Sequence, residues 1–225
     1  MADNRQLTTA QTRGMAPAVA TGPCLYFIRH GETAWSRTGQ HTGLTDLALT
    51  ARGESEARAL RPWIAARHYA HVLSSPLQRA RRTCDLTGLA ARLVIEPDLT
   101  EWNYGAYEGL RSEEIRVLRP DWNVFDDGCP DGESPADIAA RADRLIDRLA
   151  VLRGNIALFS HGAFAGVIAS RWIGLPVRTG AHFSLATASM SILAQNPNHP
   201  DIRAIALWNA VPAMLAAPPL PFSTP

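Results

Sequence analysis

Two imidazoles stand at matching places in the chain. Arg29-His30-Gly31 closes the apolar run Leu25-Tyr26-Phe27-Ile28, and Ser160-His161-Gly162 closes Ile156-Ala157-Leu158-Phe159. A short apolar run rich in aromatic and β-branched residues fits a strand covered on both faces, and ligands of open α/β sheets gather at the carboxyl ends of such strands. Each strand would hand one histidine to a common edge, followed by a glycine that lets the backbone turn beside whatever the ring touches. Arg29 and Arg79 add cations there. Glu101 lies among Trp102, Tyr104, Tyr107 and two glycines. Apolar neighbours disfavour the charged form of a carboxyl, which is how a glutamate comes to donate a proton near neutrality. Taken alone, Arg-His-Gly also reads as a solvated loop and Glu101 as a loop acid; the second His-Gly strand end ties them together. The set suits a phosphoryl group: arginines fork onto its oxygens, an imidazole attacks phosphorus and a carboxylic acid protonates the leaving oxygen.

The elements that must position these groups follow in order. Residues 33 to 49 are polar, and Gly39 to Asp46 read as a loop whose hydroxyls and amides, those of Thr42 and Gly43 included, line a pocket. A helix starts near Thr50 with Ala57, Leu60 and Ile64 on one stripe, and Val72-Leu73 is a strand. Ser75 and Pro76 read as N-cap and first position of the helix that carries Arg79 in its first turn and Arg81 and Arg82 on a solvated face. Leu93 to Ile95 is a further short strand. Residues 120 to 135, rich in Asp, Gly and Pro, form an excursion able to cover the site. Ser134-Pro135 opens a helix with Ile138, Ala142, Leu145, Leu149 and Leu152 inward and Arg141, Asp143, Arg144, Asp147 and Arg148 outward. The helix from Ala163 to Ile173 begins with amides directed at the strand ends, which favours an anion. Ser184 to Leu193 and Ile202 to Trp208 make a terminal hairpin, and His182 and His199 lie on the surface. Alternating strands and helices predict an α/β fold, a three-layer αβα domain with a mainly parallel sheet and its site at the carboxyl edge.

The chain has 225 residues, 46% hydrophobic and 19% charged, enough for one core. One domain is expected over residues 23–210, between a flexible tail, 1–22, without the apolar core of a secretory signal, and a proline-rich end, 211–225, that is extended or disordered. A net charge of +1 gives no field that favours nucleic acid or an anionic membrane. No apolar run reaches the roughly 18 residues of a membrane span, so a cytoplasmic protein is expected. Cys24, Cys84 and Cys129 are odd in number and far apart, arguing for small apolar groups in a reducing compartment and against a zinc site or disulfide framework. The histidines lack metal-site spacing, and no P-loop or dinucleotide fingerprint occurs, so neither metal nor cofactor is expected.

Four motifs in order, Leu25 to Thr33, Ser74-Ser75-Pro76-Leu77-Gln78-Arg79-Ala80, Glu101 with Tyr104-Gly105 and Glu108-Gly109, and Ser160-His161-Gly162, resemble the histidine phosphatase, or phosphoglycerate-mutase-like, superfamily. The resemblance runs from about Cys24 to Trp208. It implies the phosphoglycerate-mutase-like fold, with His30 becoming phosphorylated, Arg29, Arg79 and His161 binding phosphoryl oxygens, and Glu101 acting as proton donor and later as base. Ser36, where many members carry asparagine, and Thr42 would be secondary phosphate or substrate contacts; Tyr104 would line the substrate side, with Gly43 and Gly162 among the binding positions. The implied activity is a metal-independent phosphomonoesterase with a phosphohistidine intermediate, acting on a small phosphorylated metabolite.

Similar mutases carry a longer insertion between the glutamate and the second histidine, whereas here 60 positions separate Glu101 from His161, which favours a phosphatase. Ser36 to Thr50 and Trp122 to Ser134 look most similar to the fungal sedoheptulose-bisphosphatase branch, which points to a sugar phosphate. Gly166 departs from the pattern, standing where members often place an arginine that would serve a distal phosphate. A phosphoglycerate mutase, marked by dependence on a bisphosphate primer, is the alternative. A non-catalytic phosphate-ligand module is the second; its mark would be binding without turnover, and the presence of His30, Glu101 and His161 argues against it.

Overall fold

The computed structural model describes residues 22–215; residues 1–21 of the expected 1–22 tail, and residues 216–225 of the expected C-terminal end, lie outside the described residues. Six strands form one sheet in the order β3-β2-β4-β1-β5-β6. β1 (Cys24–Arg29), β2 (His71–Ser74), β3 (Leu93–Ile95) and β4 (Asn155–Ser160) run parallel, and β5 (Met190–Gln195) and β6 (Arg203–Ala210) are antiparallel. The sheet is therefore mainly parallel, with an antiparallel hairpin at one edge. That hairpin starts later than expected, because residues 184–189 form a loop whose Ala188 amide donates to the His30 carbonyl.

The continuous apolar runs of β1 and β4 arise because both sheet faces are covered. Leu25, Phe27, Ile156 and Leu158 pack into one core with α7 (Pro135–Ala150) and α8 (Gly162–Trp172). Tyr26, Ile28, Ala157 and Phe159 pack into the other with Leu60, Ile64, Ala80 and Cys84. This second layer is built from α2 (Ala51–Ala59), α3 (Arg61–Ala65) and α4 (Gln78–Thr87). Period-2 alternation within an all-apolar strand thus feeds two cores, which makes three layers. The single helix expected from Thr50 is two, since Pro62 opens a new turn after Leu60.

Three other local expectations are corrected. α4 starts at Gln78 with Leu77 as N-cap, two residues later than the Ser75-Pro76 reading. The Ser75 hydroxyl still accepts from the Leu77 amide (3.3 Å), but its second contact is in the site described below. Arg141 does not face outward: its side chain is 11% exposed, and it lies under the 98–103 segment. A helix stripe read from apolar residues alone cannot place an arginine that buries its head against carbonyls. Finally, Pro212–Leu215 forms a helical turn at the start of the end expected to be extended or disordered. Short helices α1 (Ala34–Thr38), α5 (Ser112–Leu118) and α6 (Val124–Asp127) belong to the connections above the carboxyl edge.

Candidate active site

Register decides which side chains meet. β1 and β4 are adjacent and parallel with Arg29 opposite Ser160, so the next residues, His30 and His161, leave the sheet side by side. Their ring centroids are 5.2 Å apart, edge to face. The backbone turns after His30 where Gly31 packs on Gly53; a Cβ on Gly31 would lie 2.2 Å from the Gly53 carbonyl oxygen, so only glycine fits. Thr83 fixes the same turn by accepting from the Gly31 amide at 3.1 Å.

His30 Nδ1 lies 2.7 Å from its neighbour's carbonyl, Gly31 O. A carbonyl only accepts, so Nδ1 carries the proton and Nε2 keeps a lone pair. Burial, then Arg79 and Arg29, push the pKa of this imidazole well below its ordinary 6.5. His161 shows the opposite tautomer. Arg79 Nε donates to its Nδ1 (3.2 Å), so Nε2–H donates to Ser75 Oγ at 2.8 Å. Burial, followed by Arg79 and His30, holds it neutral as well. Ser75 is thus a functional position that capping chemistry hid; its place at the end of β2, matching those of His30 and His161, was the available signal.

Arg79 is fully buried. Besides His161 it donates to the carbonyls of Thr42 (3.1 Å), Gly43 (2.8 Å) and Thr45 (2.9 Å). Glu108 grips the same loop by its amides, accepting from Gly43 (2.8 Å) and Thr45 (3.1 Å). An expected fork from Arg79 onto an anion is therefore largely turned to the loop, and the backbone polar atoms of Gly43 are taken by Glu108 and Arg79. Arg29 is freer. One terminal nitrogen donates to the Leu185 carbonyl, while its buried Nε has no hydrogen-bond partner among the described residues.

The Glu101 carboxylate accepts three backbone N–H bonds, from Trp102 (2.9 Å), Ala163 (3.0 Å) and Phe164 (2.8 Å). Two of these donors are first-turn amides of α8. The helix N-terminus expected to meet an external anion meets Glu101 instead, and the surroundings of this carboxyl are amides as well as apolar groups.

A cavity of about 180 Å³ opens over these groups, lined by Arg29, His30, Ser36, Thr42, Glu101, Tyr104 and Gly162, together with Gln40 and His41. Arg79 and His161 lie beneath it, and Gly43 sits in the clamped loop. Ser36 Oγ accepts from the Thr33 amide (2.9 Å) in a reciprocal cap at the start of α1. Burial and the charge of Glu101 raise the pKa of the Tyr104 phenol well above its usual 10. A second cavity, about 450 Å³, shares Arg29, His41 and Tyr104 with the first. Trp122, Asn123, Val124 and Phe125 of the 120–135 excursion form one wall, and Arg116 adds a cation. His41 links the two cavities, stacked 4.5 Å from Tyr104, with burial lowering its pKa to about 4. Among the described residues, no group of three or more His, Cys, Asp or Glu could hold a metal ion, and no helix is long and apolar enough to cross a membrane.

Residues 25–207 match the model of the histidine phosphatase superfamily, branch 1. The chain is 40% identical to an acid phosphatase of Mycobacterium tuberculosis over 75% of this chain and 84% of that protein. It is 34% identical to sedoheptulose 1,7-bisphosphatase of Saccharomyces cerevisiae over 69% of each. A probable phosphoglycerate mutase, GpmB of Erwinia tasmaniensis, is 31% identical over 74% of this chain and 82% of its own length. Among solved structures, an open reading frame product of Mycobacterium tuberculosis superposes with a TM-score of 0.76 at 34% identity, covering 84% of this chain and 98% of that one. With paired imidazoles of opposite tautomer at neighbouring parallel strand ends and this extent of likeness, the chain belongs to the histidine phosphatase superfamily, branch 1, and is a phosphatase of that type.

Proposed function

We propose that the chain is a metal-independent phosphomonoesterase that transfers the phosphoryl group of a small phosphorylated metabolite, a sugar phosphate by class, to Nε2 of His30 and then to water. The observation that carries this reading is the 2.7 Å contact of His30 Nδ1 with Gly31 O, which leaves Nε2 unprotonated at the cavity. Attack of Nε2 on phosphorus forms the N–P bond as the ester P–O bond breaks, and Glu101 gives the leaving oxygen its proton. Water then attacks phosphohistidine while Glu101 takes up a proton. Arg29 supplies a guanidinium to the phosphoryl oxygens. Arg79 and His161 work from beneath, Arg79 by its charge and its grip on the 42–45 loop, His161 by packing against His30.

Ser36, Thr42, Tyr104 and Gly162 bound the phosphoryl cavity, and the larger second cavity takes the alcohol part of the substrate. A sugar-phosphate substrate is supported by the likeness to the yeast bisphosphatase and by the mixed hydroxyl, aromatic and arginine lining. Three free thiols suit a reducing cytoplasm. The test is phosphate release from a panel of sugar phosphates, phosphoglycerates and p-nitrophenyl phosphate with chelator present. Release from a subset, lost in His30→Ala, is expected; no release, or release that chelator abolishes, would overturn the reading.

A further inference from the structure

A salt-bridged pair outside both cavities holds the Glu101 segment from two sides. Arg141 on α7 donates to Asp98 O (3.0 Å), Thr100 O (2.7 Å) and Glu101 O (3.2 Å). Its remaining donors form a two-point contact with Glu133, at 2.8 Å and 2.7 Å, so all five guanidinium N–H groups are engaged. Glu133 continues the grip on the far side of Glu101. Its Oε2 accepts from the Asn103 amide and its carbonyl from Trp102 Nε1, each at 2.9 Å, and its own amide donates to Asn103 O at 2.9 Å. The guanidinium also stacks 4.3 Å over the ring of Phe164, whose amide holds the Glu101 carboxylate. The pair therefore fixes both the backbone that carries Glu101 and the residue that donates to its carboxylate, while neither member lines either of the two cavities described above.

We infer that Arg141 and Glu133 are positioning residues for proton transfer by Glu101. This rests on the reading of Glu101 as proton donor. A lysine at 141 carries the charge but has three donors and no planar fork, so it cannot span three carbonyls and a carboxylate. Its effect falls on the step that needs a positioned acid, protonation of the leaving oxygen. Substrates whose leaving group departs without a proton escape it.

The experiment compares kcat/KM, which reports phosphorylation of His30 apart from later hydrolysis, for 2,4-dinitrophenyl phosphate and for an alkyl phosphate that the wild type hydrolyses. In Arg141→Lys the alkyl phosphate is expected to lose about tenfold to a hundredfold and the dinitrophenyl ester less than about threefold, because general acid catalysis serves only the poor leaving group. Glu133→Gln keeps an acceptor for Asn103 and the side-chain volume. It is expected to show the same asymmetry at smaller size, and it decides the matter if Arg141→Lys does not fold. Equal losses on both substrates, or no loss on either, would overturn the inference. Glu101→Gln separates the two levels of argument. If it lacks the asymmetry, the proton-donor reading fails; if it shows the asymmetry and the positioning variants do not, only the inference about Arg141 and Glu133 fails.

Discussion

A lone pair on His30 Nε2 exists because a backbone carbonyl one residue away claims the proton of Nδ1. Burial and two guanidinium groups then oppose a second proton on the ring. Because the pKa of His30 lies well below 6.5, kcat/KM is expected to stay level as pH falls from 7 through 6.5, with any acid limb due to His30 lower still. An NMR titration of the His30 imidazole with its midpoint at or above 6.5 contradicts this. His161 has its own requirement. Ser75→Ala removes the acceptor of its buried Nε2–H, so stability is expected to drop by about 1–3 kcal/mol in denaturant titrations, the cost of leaving a buried donor unsatisfied. His41 gives a stability prediction with a sign. The unfolded chain titrates this residue near 6.5 and the folded chain near 4, so the unfolded chain binds more protons between those values. Stability therefore falls as pH falls across that window, and the slope of the thermal midpoint against pH is expected to be shallower in His41→Gln.

At the scale of elements, close backbone approaches decide what the motifs leave open. Gly166 on α8 faces the 177–182 turn so closely that a Cβ would lie 2.6 Å from the Gly180 carbonyl oxygen. The arginine that similar proteins often carry at this position would have no room here, and Gly180 belongs to the wall of the larger cavity. Gly166→Ala is expected to cost about 1–3 kcal/mol in denaturant titrations, as overpacking does, and to raise KM by displacing that wall. Unchanged stability would mean that the turn yields freely. The same scale explains what sequence could and could not reveal. β1 and β4 were legible because four apolar residues ending on His-Gly occur twice, and the α7 N-cap because Ser134-Pro135 supplies a cap and a first-turn proline. The inward turn of Arg141 is not legible in sequence, because the carbonyls it meets are 40 to 43 positions away, which helical periodicity cannot register. The place of Ser75 in the site is hidden in sequence for the same reason, since its contact to His161 spans 86 positions.

For the whole molecule, the order of the sheet is what converts scattered motifs into one site. β4 lies between β1 and β2, so the strand ends carrying His30, His161 and Ser75 become neighbours although up to 131 positions separate them. Alternation of strands and helices predicted the three layers, but nothing local specified this strand order, because it follows from tertiary packing of crossovers. Overall charge near neutrality leaves anion preference to local placement, and the larger cavity is lined by two cations, Arg29 and Arg116. Phosphorylation of His30 is the step on which the proposed mechanism rests. It is tested most directly by mixing enzyme with radiolabelled substrate in the presence of chelator, quenching with base and locating the label by peptide mapping. An acid-labile, base-stable phosphate is expected on the peptide containing His30, absent from His30→Ala. Label on another residue, or wild-type rates of phosphate release from His30→Ala, would contradict it.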